Sequence, residues 1–136
     1  MSRNDELERL AREVIDCGFR LHSDLGPGLL ESVYELLLFE VVRERGILCR
    51  RQVPVPINYK GVVVDNAFKI DLLVGAQLVV ELKSTEQHAP VHAKQLTTYL
   101  RLMDLPLGIF MNFGLPTFKA GVRRIANDYY SGWTKN

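Results

Sequence analysis

Between Asp5 and Leu25 the apolar residues Leu7, Leu10, Ala11, Val14, Ile15, Phe19 and Leu21 recur at three- and four-residue steps. That spacing lines one face of an amphipathic helix. Gly26-Pro27-Gly28 breaks the chain. A second helix is predicted from about Leu30 to Arg45, with Val33, Leu36, Leu37 and Val41 inward and Gly46 as its stop. The period then shortens to two. Val53, Val55 and Ile57 alternate with Pro54 and Pro56, which predicts a strand from Leu48 to Tyr59 whose prolines confine it to an edge. Tyr59-Lys60-Gly61 turns the chain, Val62 to Val64 extends the hairpin, and residues 67–74 and 78–84 form a central strand pair. Pro90 suits the first turn of a helix reaching about Met103. Leu107 to Asn112 reads as a buried strand, Gly121 to Ala126 as a last edge strand, and the residues after Asn127 as frayed or weakly helical. No internal repeat or low-complexity segment interrupts this order.

Two carboxylates fall inside the central pair. Asp71 stands among Ile70, Leu72 and Leu73, and Glu81-Leu82-Lys83 closes the run Val79-Val80. Acids there are costly unless a cation or a hydrogen-bond network offsets their desolvation. Residues i and i+2 share a face of a strand, so Glu81 and Lys83 point together and Leu82 points into the other layer. The loop length decides where Asp71 goes. A two-residue loop would set it opposite Val80, on the wrong face, whereas the three residues Gly75-Ala76-Gln77 pair Val74 with Leu78 and set Asp71 across from Glu81. The three-residue loop is the expectation, with Phe68, Ile70, Leu72, Leu78, Val80 and Leu82 covering the opposite face. Mg²⁺ is the expected occupant of the acidic corner.

Composition bounds the rest. At 136 residues and 47% hydrophobic, the chain has material for one ordinary domain, 1–136. No apolar run approaches the roughly 18 residues that span a bilayer, so a soluble, cytoplasmic protein is expected, with no membrane partner. Cys17 and Cys49 lack CxxC spacing, which argues against a zinc or disulfide framework. A net charge of +1 exerts no global pull on nucleic acid. Arg43, Arg45, Arg50, Arg51, Lys60 and Lys69 in the middle of the chain read as solvated faces unless the acidic corner gives them a substrate.

Two helical stripes join the candidates. Glu31, Tyr34 and Glu35 lie within one turn of each other and can face a common partner. Glu31 follows a fixed helix start, from which it can aim at a metal shared with Asp71 and Glu81, while Glu35 reads as a solvent-facing acid. His92, Gln95 and Tyr99, at i, i+3 and i+7, form the second stripe, and their uncharged donors suit a phosphate, a base edge or the lysine. His22 reads as a satisfied structural histidine and His88 as a loop residue.

Gly28-Leu29-Leu30-Glu31-Ser32-Val33-Tyr34 resembles the signature of the GxxExxY proteins, a small-domain group within the PD-(D/E)XK nuclease-like superfamily. The resemblance runs from His22-Ser23-Asp24-Leu25 through Gln52-Val53-Pro54-Val55 to Asn112-Phe113 and Arg123-Arg124. Asp71, Glu81-Leu82-Lys83 and Gln95-Leu96-Thr97-Thr98-Tyr99, in that order, are its more specific part, the last resembling the Gln-xxx-Tyr motif of RecB-like exonucleases. It implies an α/β (α+β) restriction-endonuclease-like fold, a central mixed β-sheet flanked by helices in the order α-α-β-β-β-α-β. It further implies Glu31 as the helix carboxylate, Asp71 and Glu81 as metal ligands, Lys83 as the catalytic amine, and Gln95 and Tyr99 as supporting residues. The proline that names the superfamily is absent before Asp71, where Lys69-Ile70 stand.

The activity expected on this basis is Mg²⁺- or Mn²⁺-dependent hydrolysis of nucleic-acid phosphodiesters, DNA first. Glu31, Asp71, Glu81 and the Leu82 carbonyl would hold the metal, and His92 and Tyr34 would join Gln95 and Tyr99 around the substrate. The rivals are an inactive nuclease fold used for binding or assembly, and a metal-dependent nucleotide phosphohydrolase. A domain this short is also expected to pair with itself or with a protein partner.

Overall fold

The structure is a computed structural model, and it describes residues 3–133. Helices α1 (Arg3–Leu25) and α2 (Glu31–Glu44) precede strands β1 (Cys49–Tyr59), β2 (Val62–Val74) and β3 (Leu78–Lys83). Helix α3 (Pro90–Met103), strand β4 (Leu107–Asn112), the short helix α4 (Phe118–Gly121) and strand β5 (Val122–Ala126) complete the chain. One mixed sheet has the order β1-β2-β3-β4-β5. Only β3 and β4 run parallel, because α3 carries the chain back between them. The architecture is α+β with a restriction-endonuclease-like core.

Each face of the sheet buries its own core. Helices α1 and α2 pack Leu10, Val14, Tyr34 and Leu38 against Leu72, Val80, Leu82 and Ile109. On the other face Leu96 and Leu100 of α3 meet Val53, Val55, Ile70, Val79 and Phe110. The face of α2 differs from the expected one. Tyr34, Leu38 and Val42 point inward, while Val33 and Leu36 are exposed. Leu37 and Val41 pack against the core as expected, whereas Val33 and Leu36 fall on the side that carries Glu40, Arg43 and Glu44.

The three-residue loop is present: Val74 pairs with Leu78 and Leu72 with Val80. Strand alternation, however, slips beside Asp71. Arg51 pairs with Leu72 and Val53 with Ile70, but Gln52, held at φ +49°, makes no pair with Asp71. The slip moves Phe68 and Ile70 onto the α3 side, whereas Leu72 stays on the α1/α2 side, so the six residues expected on one face are split between two.

The segment after Asn127 is tied down rather than frayed. Asn127 is buried, its Nδ2 donates to the carbonyls of Leu100 and Leu105, and its own carbonyl accepts the Trp133 indole N–H. Positions 134–136, part of the same expectation, lie outside the described residues.

Candidate metal and nucleic-acid site

The β2–β3 ladder stops one position short of the two acids, and their side chains replace the missing backbone bonds. The Asp71 N–H donates to Glu81 Oε1 at 3.1 Å, and the Leu82 N–H donates to Asp71 Oδ2 at 2.8 Å. Both residues are buried, Asp71 at 9% and Glu81 at 8% exposure. Burial first, and the Asp71 charge second, push Glu81 up to about 8. Burial also raises Asp71, against the pull of the Leu82 N–H. Leu82 keeps its side chain in the α1/α2 core and offers only backbone to this corner.

Lys83 ends β3. Its Nζ lies 3.9 Å from Glu31 Oε1 and is partly exposed, so among the described residues its direct ion pair is with Glu31, and it acts on Asp71 and Glu81 as a neighbouring positive charge. The backbone around Lys83 is firmly held. Its carbonyl accepts the Phe113 N–H at 2.8 Å, and the buried Asn112 carboxamide accepts from the Thr85 and Gly114 N–H groups.

Glu31 owes its position to Tyr34. The phenol donates to the Gly26 carbonyl at 2.5 Å and accepts the Leu29 N–H at 3.2 Å, while its ring stacks on Phe113 at 4.5 Å. Gly26 and Gly28, at φ +71° and +108°, supply the left-handed turns that bring the chain back to this ring. Tyr34 is fully buried, so it clamps the helix start and does not share an open face with Glu31.

Glu35 corrects the reading of it as a solvent-facing acid: it is 4% exposed. Gln52 Nε2 donates to Glu35 Oε1 at 2.6 Å and to Asp71 Oδ1 at 3.3 Å, and Arg51 donates to Glu35 Oε2 at 3.1 Å. Burial and the Asp71 charge raise its pKa. The rotation of α2 that turns Leu36 outward is the same rotation that turns Glu35 in. Gln52 and Arg51 were missed with it, although the helix-turn spacing of Glu31 and Glu35 was the available signal.

The α3 stripe approaches from the other layer. Tyr99 stacks on Phe68 with ring centroids 4.0 Å apart. Its phenol is pushed up by burial first and by the charges of Glu81 and Asp71 next, with the neighbouring Gln95 pulling the other way. His92 stacks on Phe110, and its Nδ1 is the one buried side-chain polar atom without a partner among the described residues. Burial first, then Lys83, lower its pKa and favour the neutral ring. His22 bonds the Leu115 carbonyl at 2.9 Å, and His88 is exposed.

The donors around Asp71 are carboxylate oxygens, a set suited to Mg²⁺ or Mn²⁺ and ill suited to zinc. Among the described residues no three His, Cys, Asp or Glu side chains converge closely enough to hold an ion as they stand. The fit therefore rests on chemistry: two adjacent buried acids that make no direct ion pair among the described residues are what a divalent ion neutralises.

A mixed sheet split at paired acids, with a lysine two residues beyond the second acid and carboxylates from a preceding helix, defines a nuclease-type core. Residues 8–125 match the model of the PD-(D/E)XK nuclease superfamily, and the chain belongs to that superfamily. Its members are generally hydrolases that act on nucleic acid and typically use divalent metals such as Mg²⁺. No curated protein matches the chain. No helix among the described residues is long and apolar enough to cross a membrane.

Proposed function

We propose that this protein is a metal-dependent nuclease that hydrolyses phosphodiester bonds, with DNA as its substrate. Within the superfamily, Gly28, Glu31 and Tyr34 support a place among the GxxExxY proteins. One observation carries the reading: Asp71 and Glu81 are buried together where the ladder ends, with Lys83 beside them. Asp71, Glu81, Glu31 and the Leu82 carbonyl are the groups assigned to hold Mg²⁺ or Mn²⁺, which when bound supplies Lewis acidity toward a phosphate oxygen and eases deprotonation of water.

The protein's own groups do the rest. The Lys83 ammonium offsets negative charge developing on the phosphate in the transition state. Tyr99, close enough to be raised by the Glu81 and Asp71 charges, and Gln95 beside it offer uncharged donors that hold the phosphate without neutralising the carboxylates. His92, with a neutral ring and a free buried nitrogen, supplies a further donor or acceptor. Tyr34 serves substrate only through the turn that aims Glu31.

The test is cleavage of circular and linear DNA in Mg²⁺ and in Mn²⁺ by the wild type, Asp71→Ala and Lys83→Ala. Each variant should lose at least about a hundredfold in rate with an unchanged circular dichroism spectrum. Variants that cut as fast as the wild type refute the assignment. The net charge of +1, which gives no general pull on a nucleic-acid substrate, favours a second reading, a nuclease fold kept for binding or assembly alone. Calorimetry separates the two, since that reading predicts no heat on titration with Mn²⁺.

A further inference from the structure

The turn that leads into α2 is held by polar bonds and not by packing. Pro27, Gly28, Leu29 and Leu30 are all exposed, so none of their side chains anchors the segment in the core. Both backbone polar groups of Leu29 are nonetheless occupied. Its N–H donates to the Tyr34 hydroxyl, on the helix that the turn starts, and its carbonyl accepts the Ser84 hydroxyl at 2.6 Å. The second bond spans 55 positions of sequence. Among the described residues it is the one hydrogen bond between this turn and the segment that follows β3.

Ser84 is the fixed partner in this contact. The peptide groups on either side of it are anchored, since the Lys83 carbonyl accepts the Phe113 N–H at 2.8 Å and the Thr85 N–H donates to Asn112 Oδ1 at 3.0 Å. A serine or threonine hydroxyl in a loop ordinarily bonds backbone a few residues away, as Thr85 does with the Gln87 carbonyl at 2.9 Å. Ser84 instead reaches across to another element.

The two ends of this bond adjoin the charged groups of the site. Ser84 follows Lys83 directly, and Leu29 lies two residues before Glu31. Glu31 and Lys83 face each other at 3.9 Å, too far for a direct hydrogen bond, and an ion pair between partly exposed groups is too weak to fix their spacing by itself. The Glu31 charge raises both Asp71 and Glu81, so its carboxylate stands within reach of both.

We propose that Ser84 is a positioning residue: by holding the Leu29 carbonyl, its hydroxyl sets Glu31 against Lys83 beside the Asp71–Glu81 corner. This rests on the reading of that corner as a metal site with Glu31 among its ligands. Ser84 itself touches neither metal nor phosphate and acts only through Glu31.

Calorimetric titration of the whole protein with Mn²⁺ tests it, using Ser84→Ala, Ser84→Thr, Glu31→Gln and the double variant Ser84→Ala/Glu31→Gln, each checked by circular dichroism. Ser84→Ala should weaken Mn²⁺ binding by about tenfold, and Ser84→Thr, which keeps the hydroxyl, should stay within about threefold of the wild type. In the Glu31→Gln background the alanine change should cost less than about twofold, because the group it acts through is gone. An unchanged affinity in Ser84→Ala overturns the proposal and leaves the metal site standing. A loss that persists in the Glu31→Gln background overturns it too, as does a Ser84→Thr protein no tighter than Ser84→Ala. A Ser84→Ala protein that fails to fold assigns the bond to the fold and has the same effect. If Glu31→Gln binds too weakly to titrate, rescue by Ser84→Thr decides alone. A wild type that takes up no Mn²⁺ overturns the metal-site reading and this proposal with it.

Discussion

Replacing Glu81 by Gln in the metal-free protein should make it more stable, and increasingly so as pH rises. Glu81 is 8% exposed and, through burial first and Asp71 second, has its pKa raised from 4.5 to about 8. An acid whose pKa is raised on folding keeps its proton in the folded state after the unfolded chain has released it. Its stabilising effect is complete below the unfolded value of 4.5 and is lost as pH rises toward 8. Each pH unit in that interval is worth about 1.4 kcal/mol, so the full loss is on the order of 4–5 kcal/mol, an upper limit that relaxation of the site reduces. Glutamine keeps an oxygen for the Asp71 N–H and cannot ionise. Asp71 and Glu35 are raised too and give both proteins a falling baseline, so the informative quantity is the difference between wild type and variant. Urea denaturation in EDTA from pH 5 to 8.5 measures it. The variant should gain about 2–4 kcal/mol on the wild type across that range. A difference that changes by less than about 0.5 kcal/mol from end to end would show that Glu81 titrates normally and that the corner is not desolvated.

Glu35→Gln should weaken Mn²⁺ binding by about ten- to a hundredfold in calorimetry, because Glu35 and Asp71 are tied through one Gln52 amide; unchanged affinity would make Glu35 only a partner for Arg51. Tyr34→Phe removes both bonds to the Gly26–Leu29 turn and should cost about 1–3 kcal/mol in chemical denaturation, with little change in the core since the ring stack on Phe113 is retained. Gly114→Ala would put a methyl 2.2 Å from the Thr85 carbonyl oxygen, a backbone atom that cannot swing aside. That variant should lose about 3 kcal/mol or more, read as a collapse of the melting temperature.

How far the sequence could be read depended on which signals were local. The loop between β2 and β3 was legible because its parity alone decides whether Asp71 meets Glu81, and Gly75 and Ala76 both adopt positive φ in a three-residue turn. The helix α3 and the strand β4 had clear starts in Pro90 and Leu107. The burial of Glu35 was harder to read, although its spacing from Glu31 was visible. Within the apolar run Leu36-Leu37-Leu38-Phe39 the inward side is chosen by the partner surface, here Phe113 under Tyr34. The split of Phe68 and Ile70 from Leu72 followed from one unpaired residue, Gln52, whose left-handed backbone has no marker in an ordinary strand sequence. The short helix α4 went unseen because four residues carry too little periodicity, even with Thr117 capping it. The anchored tail depended on Asn127, whose partners lie more than twenty positions upstream.

The break in pairing at Asp71 separates two mechanical regimes within a single strand. Downstream, Leu72 to Val74 are bracketed by neighbours on both edges and by side chains on both faces. Upstream, β2 beyond Ile70 pairs with β1 alone, with Phe68 stacked on Tyr99, as it runs toward the Lys60-Gly61 turn. Trimming or lengthening the projecting hairpin in register should therefore leave the carboxylates where they are. The protruding part is free to diverge in length and in what it grips while the acidic corner stays fixed.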